Sequence, residues 1–451
     1  MARLAIYMMA LAALLVLTGP LRTSLIPVEA PDAPVPLTFF GMHVGVHTPY
    51  STPILAPITV GAVGKGVITF WPYTERARGV NSSWEPLDRQ VEFGTRHNAP
   101  VFKGNAYEPA WAVSDTRHCR KSALPDVQFC SDAPSDITTK TACQSPLQGV
   151  ETTDCMWKEY VTTLVNRYKS TGIQTGCTPE NPQCHGVIEM YEGWNEPNGS
   201  SGGNMANFVK LQTDFLNTVR ANDPAAKVCS PAFIISSGPH STFYASLMNS
   251  FFANGGPKNW DCYDFHINEP TPEAQIADIK QFKNILRSNG IDPAAATIYA
   301  TEAGRWGGCD VSIPDAEQQA YVARILLLYW SNGVERLYWY AYDTCGTLTK
   351  QPAESRLKPA GIAYGNVEKW MLGATMTTPC SARSTIWTCG LRRPNGYEAL
   401  AVWDSAGNSE FSVPIEYKQY QDLEGEWHSV NGSVNIGPQP ILLTNQAATS
   451  D

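Results

Sequence analysis

The stretch Val187–Trp194 reads VIEMYEGW, and it runs directly into Asn195-Glu196-Pro197-Asn198. Further along the chain, Thr297–Thr301 reads TIYAT and is followed directly by Glu302-Ala303-Gly304. Both runs are short and largely apolar, and Gly or Pro lies close to their ends, a pattern typical of buried parallel strands. Each stretch therefore predicts a strand with a glutamate beside its carboxyl end.

Runs of the same kind alternate with longer amphipathic segments over residues 38–372. The predicted strands, these two included, are Phe39–Val46, Val67–Trp71, Pro100–Gly104, Val187–Trp194, Lys227–Ile234, Tyr263–Ile267, Thr297–Thr301 and Arg336–Ala341. The clearest segments with helical periodicity are Trp84–His97, Met156–Lys169, Met205–Asn222, Thr242–Ala253, Pro272–Asn289 and Ala316–Ser331. Strands that alternate with helices in this way predict an α/β protein with a (β/α)8 TIM barrel.

The pattern changes after a last predicted helix, Gly361–Met371. Residues 373–451 contain short alternating segments that are separated by turn sequences such as Asn431-Gly432. This predicts a small C-terminal antiparallel β-domain with a sandwich-like form. We expect it to pack tightly on the barrel, because no long linker separates the two parts.

The N-terminus has the features of a signal peptide. Arg3 precedes an apolar run, Leu4–Leu17, that is short for a membrane span. Val28-Glu29-Ala30 offers a cleavage site with small residues. We therefore expect residues 1–30 to be removed from a secreted or periplasmic protein that has no stable membrane insertion. An uncleaved anchor is the alternative.

The chain has 12 cysteines, an even number, and six of them fall within residues 119–184. This part of the chain has little hydrophobic periodicity, so disulfides would be its main source of order. No CxxC pair occurs, and we therefore expect no metal. The Cys-rich insert, about 105–155, follows the third strand, so we expect it at the C-terminal face of the barrel. It would shape one rim of a cleft there or serve only as a structural flap.

Some cysteines come together if the strands are placed correctly. The expected pairs are Cys229–Cys262 between the fifth and sixth strands, Cys309–Cys345 after the seventh and eighth, and Cys380–Cys389 within a hairpin of the β-domain. Sequence alone does not fix connectivity, so the pairing of the remaining cysteines stays open.

Charge and composition exclude some partners. The formal net charge is −9, and no Lys/Arg cluster is present, so nucleic acid is excluded as a partner. No dinucleotide or phosphate-loop motif is visible. The chain has 13 Trp, which fill the core or offer flat surfaces for sugar rings. We expect a monomer whose partner is a carbohydrate.

The two strand-end glutamates define a possible chemistry. The fourth and seventh strands lie across the mouth of a barrel, so Glu196 and Glu302 can approach a bound molecule from opposite sides. A retaining cleavage of a glycosidic bond uses two carboxyl groups about 5–5.5 Å apart. Burial and the charge of Glu302 should raise the pKa of Glu196, which must begin protonated. Glu269 lies in a second Asn-Glu-Pro sequence, but strand order favours Glu196, and Glu192 is interpreted as a buried, hydrogen-bonded support.

These motifs resemble a known group. Gly-Trp-Asn-Glu-Pro-Asn after the fourth strand, with Thr-Glu-Ala-Gly after the seventh, resembles the retaining glycoside hydrolases of clan A. Residues 39–43 and 57–66 are similar to family 39 in particular. The resemblance covers roughly residues 38–372. It implies a glycosidase that cleaves O-glycosidic bonds of a poly- or oligosaccharide by double displacement, without a cofactor.

The resemblance also implies roles for individual residues. Glu196 would be the acid/base and Glu302 the nucleophile. The residues beside the sugar would be Asn195 at its 2-hydroxyl, His266 and His43 in the −1 subsite, and Trp339 as the floor of that subsite. Near other strand ends, Trp71 and Trp306 would add stacking surfaces.

The chain departs from the clan pattern at two positions. Clan members usually have an Arg on the second strand, whereas Val67–Trp71 has none. Many have His-x-Tyr after the sixth strand, where this chain has His266-Ile267-Asn268. Lys103 or Arg305 is a candidate for the missing positive charge. These departures leave a non-catalytic carbohydrate-binding protein on a degenerate barrel open as an alternative. A transglycosylase is a further alternative, because it would use the same residues and differ only in the access of an acceptor.

Overall fold

The computed structural model defines most of the chain after the N-terminal segment. It describes residues 30–45, 53–64, 66, 69–81, 83–122, 127–169, 186–197, 204–236, 241–267, 269–304, 313–343, 348–350 and 356–446. The predicted signal peptide lies outside these ranges, apart from Ala30. Across the described ranges, no helix combines the length and apolar character that crossing a membrane requires.

Short parallel strands form the first part of the described chain. They are β1 (Phe40–Met42), β2 (Ala62–Val63), β3 (Phe102–Lys103), β4 (Met190–Glu192), β5 (Lys227–Cys229), β6 (Phe233–Ile234), β7 (Tyr263–Ile267), β8 (Ile298–Ala303) and β9 (Arg336–Trp339). One sheet has the order β6-β7-β8-β9-β1-β2, and a second has the order β5-β4-β3. Parallel bridges from Val63 to Val101 and from Cys229 to Cys262 connect the two sheets. The α/β fold is confirmed, and closure into one barrel stays a prediction.

Helices follow most of these strands. They are α1 (Glu85–Arg96), α2 (Cys155–Tyr168), α3 (Met205–Asn222), α4 (Ser241–Ala253), α5 (Pro272–Ser288), α6 (Asp315–Ser331) and α7 (Pro359–Met371). Local sequence sets where they begin. The Asn204 side chain accepts backbone N–H groups at the start of α3, and Thr271 caps α5 in the same way. These bounds agree with the predicted helices to within one or two residues.

The second predicted strand, Val67–Trp71, is wrong over Thr69–Trp71, and its first two residues lie outside the described ranges. Ala62–Val63 is the strand in this part of the sheet, whereas Trp71–Thr74 forms a short helix. Phe70 and Trp71 are buried in the core, so the run is apolar for a reason other than strand formation. The fifth predicted strand is divided into β5 and β6, because Pro231 lies between them and has no N–H to donate to a ladder.

The C-terminal part is antiparallel, as predicted. Its strands are β10 (Thr375–Arg383), β11 (Ile386–Arg392), β12 (Glu398–Asp404), β13 (Ser409–Ser412), β14 (Gln419–Gln421), β15 (Trp427–Ser429), β16 (Ser433–Ile436) and β17 (Ile441–Thr444). The main sheet has the order β10-β11-β12-β17-β14-β15, and β13 pairs with β16. The segment before β1 also reaches this region, since Pro34 bridges to Thr375.

Helices α5 and α6 join the two parts of the molecule. A continuous cluster of buried apolar side chains includes Trp330 of α6 together with Leu391 and Trp403 of the C-terminal sheet. The Trp403 indole N–H donates to Glu273 Oε1 over 2.9 Å. The same carboxylate forms an ion pair with Arg324 at 3.0 Å. The sheet therefore packs on the helices through both apolar and polar contacts.

Four disulfides lie within the described residues. They are Cys119–Cys130, Cys143–Cys155, Cys229–Cys262 and Cys380–Cys389. Two of the three predicted pairs, Cys229–Cys262 and Cys380–Cys389, are confirmed. The third predicted pair, Cys309–Cys345, lies outside the described residues. The first two bonds order the Cys-rich insert, where strand residues 108–109 and 120–121 both pair with residues 128–130.

Candidate active site

Glu302 and Glu196 reach the same place from different strands. Glu302 lies near the carboxyl end of β8, and Glu196 lies in the loop that follows β4. Glu196 has a φ of 50°, a left-handed conformation that is uncommon for residues other than glycine. Its N–H donates to Ala232 O over 3.0 Å, and the N–H of Asn195 donates to Asn105 O over 2.6 Å. These backbone bonds hold the turn that aims Glu196.

The two carboxyl groups approach the same nitrogen of His266. His266 Nδ1 lies 2.9 Å from Glu196 Oε1 and 3.9 Å from Glu302 Oε2. One oxygen of each carboxyl group and the imidazole nitrogen all lie within 4.8 Å of one another. This separation is close to the roughly 5–5.5 Å of retaining glycosidases and shorter than the roughly 6.5–9.5 Å of inverting ones.

Both carboxyl groups can be reached from solvent. The side chain of Glu196 is 33% exposed and that of Glu302 is 23% exposed. His266, between them, is fully buried. The imidazole therefore lies behind the two glutamates, which form the open face of the site. The expected place of His266 beside a sugar is corrected, because a fully buried ring supports Glu196 and does not touch a bound molecule.

Thr301 and Glu192 lie behind His266. His266 Nε2 is 3.2 Å from Thr301 Oγ1, and the Thr301 hydroxyl donates to Glu192 Oε2 over 2.9 Å. All three residues are fully buried. Glu192 matches its interpretation as a buried support. Thr301 was missed, although a hydroxyl residue inside an apolar strand and directly before Glu302 was a usable signal.

His43 supports the site from β1. It is fully buried, and its Nε2 lies 2.7 Å from the carbonyl oxygen of Thr301. Its ring packs on Tyr340, with 5.1 Å between the ring centroids. The expected contact of His43 with a sugar needs correction, because a side chain without exposed surface cannot touch a bound molecule. It fixes the backbone beside Glu302 instead.

Two of the expected tryptophans are buried in the core. Trp339 is fully buried and packs edge-on against Tyr321. Trp71 is also fully buried, stacks on Tyr160 and donates its indole N–H to Glu75. Neither offers a surface for a sugar, so these two expectations are corrected. Trp306 lies outside the described residues.

Two tyrosines occupy the neighbourhood of the carboxyl groups instead. Burial, and then the charges of Glu302 and Glu196, raise the pKa of Tyr340, which is partly exposed. Burial raises the pKa of Tyr107, and the charges of Glu196 and Glu302 also raise it. Tyr340 directly follows Trp339, and Tyr107 belongs to the Cys-rich insert. Both phenols are therefore close enough to interact electrostatically with the two glutamates.

Asn195 and Lys103 lie on the Glu196 side. Asn195 is partly exposed and adjoins Glu196, where it can meet a bound ligand. Lys103 is fully buried on β3, its ammonium contacts the Gly104 carbonyl, and it lies 5.5 Å from the centre of the Phe70 ring. Strand β2 has no Arg, and Arg305 lies outside the described residues. Lys103 therefore does not supply the missing positive charge to a bound ligand, because its side chain is fully buried.

The site also contains donor atoms of the kind that bind metals. Glu196, His266 and Glu302 together offer two carboxylate oxygens and one imidazole nitrogen. The contact of 2.9 Å between His266 Nδ1 and Glu196 Oε1 is a hydrogen bond. It joins the very atoms that would have to turn toward an ion, so the arrangement fits acid–base chemistry better than metal binding.

Comparisons with known proteins place the fold. The sequence matches no protein-family profile and no curated protein. A family 39 glycoside hydrolase from Bacteroides cellulosilyticus WH2 is similar in structure, with a TM-score of 0.60 and 16% identity over 92% of this chain and 82% of that one. The GH51 arabinofuranosidase from Xanthomonas axonopodis pv. citri is also similar in structure, with a TM-score of 0.53 and 11% identity over 92% of this chain and 98% of that one.

A third similar structure is a GH39 β-xylosidase from Caulobacter crescentus. Its TM-score is 0.51 and its identity 12%, over 82% of this chain and 85% of that one. The resemblance to family 39 and related families that the motifs predict is therefore confirmed in the fold. At these identities the likeness describes the fold alone, and activity has to be argued from the site.

Proposed function

We propose that the protein is a retaining glycoside hydrolase with Glu196 as acid/base and Glu302 as nucleophile. The observation that supports this most strongly is the approach of their carboxyl oxygens to within 4.8 Å at the ends of parallel strands. An anomeric carbon held between them would meet one carboxylate on one face and a proton donor near its leaving oxygen.

We also propose that the two parallel sheets form one (β/α)8 barrel. At one junction the N–H of Val63 donates to Pro100 O over 2.9 Å, and at the other the N–H of Ser230 donates to Cys262 O over 2.9 Å. A barrel of this kind presents its active site at the carboxyl ends of its strands. Glu196 and Glu302 both lie at those ends, which supports the assignment.

The reaction would proceed in two displacements. Glu302 attacks the anomeric carbon and forms a glycosyl ester while Glu196 gives its proton to the departing oxygen. Glu196, now ionised, then takes a proton from water as that water attacks the ester. His266 orients Glu196 throughout, and no metal or cofactor takes part.

The substrate would be a poly- or oligosaccharide. Tyr340, next to Glu302, is the aromatic residue best placed to form the floor under the sugar in the −1 subsite. Tyr107 would contact the sugar on the Glu196 side, where the leaving group departs. The disulfides of the described residues favour an oxidising compartment, so we propose a secreted or periplasmic enzyme that acts as a monomer.

Hydrolysis of a panel of β-glucans, mannans, xylans and bacterial exopolysaccharides tests this proposal. We expect reducing sugar from at least one substrate, with its anomeric configuration retained in an NMR time course. Binding without release of sugar would support a carbohydrate-binding protein instead. Transfer to an added sugar that exceeds hydrolysis would support a transglycosylase.

Two variants separate the roles of the carboxyl groups. With an activated aryl glycoside, azide should restore turnover to both Glu196→Ala and Glu302→Ala. The azide product should keep the substrate configuration in the first variant and have the inverted one in the second, because azide attacks the glycosyl ester in one and the free substrate in the other. Glu269→Gln is the matched control, since Glu269 lies in the second Asn-Glu-Pro sequence and accepts from the Ser236 hydroxyl, and this variant should leave activity unchanged. Full activity in either alanine variant would overturn the assignment.

A further inference from the structure

Four side chains from three strands and a loop form a continuous hydrogen-bonded chain behind the carboxyl pair. Glu192 Oε2 accepts from the Thr301 hydroxyl at 2.9 Å. Thr301 Oγ1 lies 3.2 Å from His266 Nε2, and His266 Nδ1 lies 2.9 Å from Glu196 Oε1. Only the last member, Glu196, reaches solvent, because the other three are fully buried.

The number of protons in this chain restricts the state of His266. A hydroxyl has a single hydrogen, and an ionised carboxylate can only accept. If Thr301 gives its hydrogen to Glu192, its oxygen must accept the next bond, so His266 Nε2 must be the donor. A neutral imidazole has one N–H, and Nδ1 is then left with a lone pair.

The two tautomers of His266 would act differently on Glu196. A ring nitrogen that presents a lone pair can accept from a protonated carboxyl group and cannot donate to a carboxylate. A ring nitrogen that presents an N–H does the opposite and favours the ionised carboxylate. An acid catalyst has to start protonated, so the first tautomer is the productive one.

We propose that Glu192 and Thr301 are positioning residues that hold the proton of His266 on Nε2, so that Nδ1 keeps Glu196 in its acid form. This inference rests on the proposed function, because it gives Glu196 the role of acid. It assigns a purpose to a buried carboxylate and a buried hydroxyl that do not touch the substrate.

The other ionisable groups around these four hydrogen-bonded side chains do not set the tautomer of His266. Tyr107 and Tyr340 face the pair from the insert and from the segment after β9, and burial raises the pKa of each, so both stay neutral. His43, on β1, bonds the Thr301 carbonyl rather than its hydroxyl. Lys103, on β3, contacts the Gly104 carbonyl, and Glu302 lies across the open site. The link from Glu192 to His266 passes through the Thr301 hydroxyl.

Two variants and a control test the proposal. Thr301→Val removes the hydroxyl and keeps the shape, Glu192→Gln replaces the buried carboxyl group by an amide of the same shape, and Thr301→Ser keeps the hydroxyl. For Thr301→Val and Glu192→Gln we expect the alkaline limb of the kcat/KM pH profile to move about one unit lower, the size expected for one charge-assisted hydrogen bond. Thr301→Ser should restore the profile of the unaltered protein. Thermal unfolding checks that each variant is folded.

A second measurement reads the tautomer directly. The nitrogen chemical shifts of His266 in the intact, substrate-free protein should show N–H at Nε2 and a lone pair at Nδ1. Loss of this pattern in Thr301→Val would support the proposal. A proton on Nδ1 in the unaltered protein, or unchanged profiles in both variants, would overturn it.

The two measurements separate this inference from the proposed function. The spectrum needs no substrate. If the protein shows the expected tautomer and hydrolyses no glycoside, the role of Glu192 and Thr301 in fixing the His266 proton is supported and the proposed function is refuted. If hydrolysis requires Glu196 and Glu302 and does not change in the Thr301 variants, the proposed function is supported and the positioning role of Thr301 is refuted.

Discussion

Shortening Glu302, the proposed nucleophile, by one methylene group tests the geometry of the site most directly. In Glu302→Asp the carboxylate retracts along its own side chain by about one carbon–carbon bond, or about 1.5 Å. The carboxyl oxygens of Glu302 and Glu196 lie within 4.8 Å of one another in the structure. The variant would widen their separation by up to about 1.5 Å, which would take the pair out of the roughly 5–5.5 Å range of retaining enzymes.

The expected loss is large because the attacking oxygen no longer reaches the anomeric carbon. A misplacement of about 1 Å can cost about 10²-fold in rate, so we expect kcat to fall by about 10²- to 10³-fold. This corresponds to a barrier about 3–4 kcal/mol higher. The dissociation constant for substrate should change little, since the carboxylate and its charge remain.

Pre-steady-state kinetics with an aryl glycoside measures the effect. The first phase, formation of the glycosyl ester, should slow in Glu302→Asp while KM stays within a few fold of its original value. Glu302→Gln serves as the comparison, because it keeps the length and removes the nucleophile, and it should lose more activity than the aspartate variant. If Glu302→Asp reacts as fast as the unaltered protein, then Glu302 is not the nucleophile and the 4.8 Å geometry has no catalytic meaning.

Three further predictions concern the surroundings of the site and the stability of the fold. Tyr340→Ala should lower kcat/KM about tenfold or more through loss of the aromatic floor, whereas Tyr340→Phe should keep most of it, as measured by initial rates. Replacing Cys229 and Cys262 together with Ser opens a loop whose ends are 33 residues apart, so the free energy of unfolding in denaturant should fall by about 4 kcal/mol; no fall would contradict the bond. Burial raises the pKa of Glu368 from 4.5 to about 7, so its contribution to stability is fully present below pH 4.5 and is lost as the pH rises through 7. Above pH 7, Glu368→Gln should therefore raise the free energy of unfolding by at most about 3 kcal/mol, and the melting temperature with it. This stabilisation should shrink toward pH 5. A stabilisation that does not depend on pH would refute the assignment to this group.

Strand order could be predicted from the sequence because it depends on apolar runs and on the residues that end them. This was sufficient to bring Glu196 and Glu302 to one side of the sheets. The failure at Val67–Trp71 has a general cause, since a short apolar run has no period that separates a buried strand from a buried turn of helix. The true strand, Ala62–Val63, is too short to produce a pattern.

The aromatic residues of the site were harder to predict. Successive side chains of a strand point to opposite faces, so an error of one position exchanges core for cleft. Trp339 points into the core, and Tyr340, the next residue, lies beside the carboxyl groups. The contacts of Thr301 and His43 were harder to predict for another reason, because they join strands that are far apart in the chain.

Glu273 binds two partners at once, the guanidinium of Arg324 and the indole of Trp403. Trimming the gene after α7 would take away one of those partners and would strip the cover from Trp330. A shortened protein would then expose apolar helix surface to water, and the ion pair of Glu273 and Arg324 would lose the hydrogen bond from Trp403. The exchange of a module should therefore keep the chain intact through Gln446, because Asn445 still accepts from the N–H of Glu398 and the carbonyl of Gln446 from the side chain of Gln419.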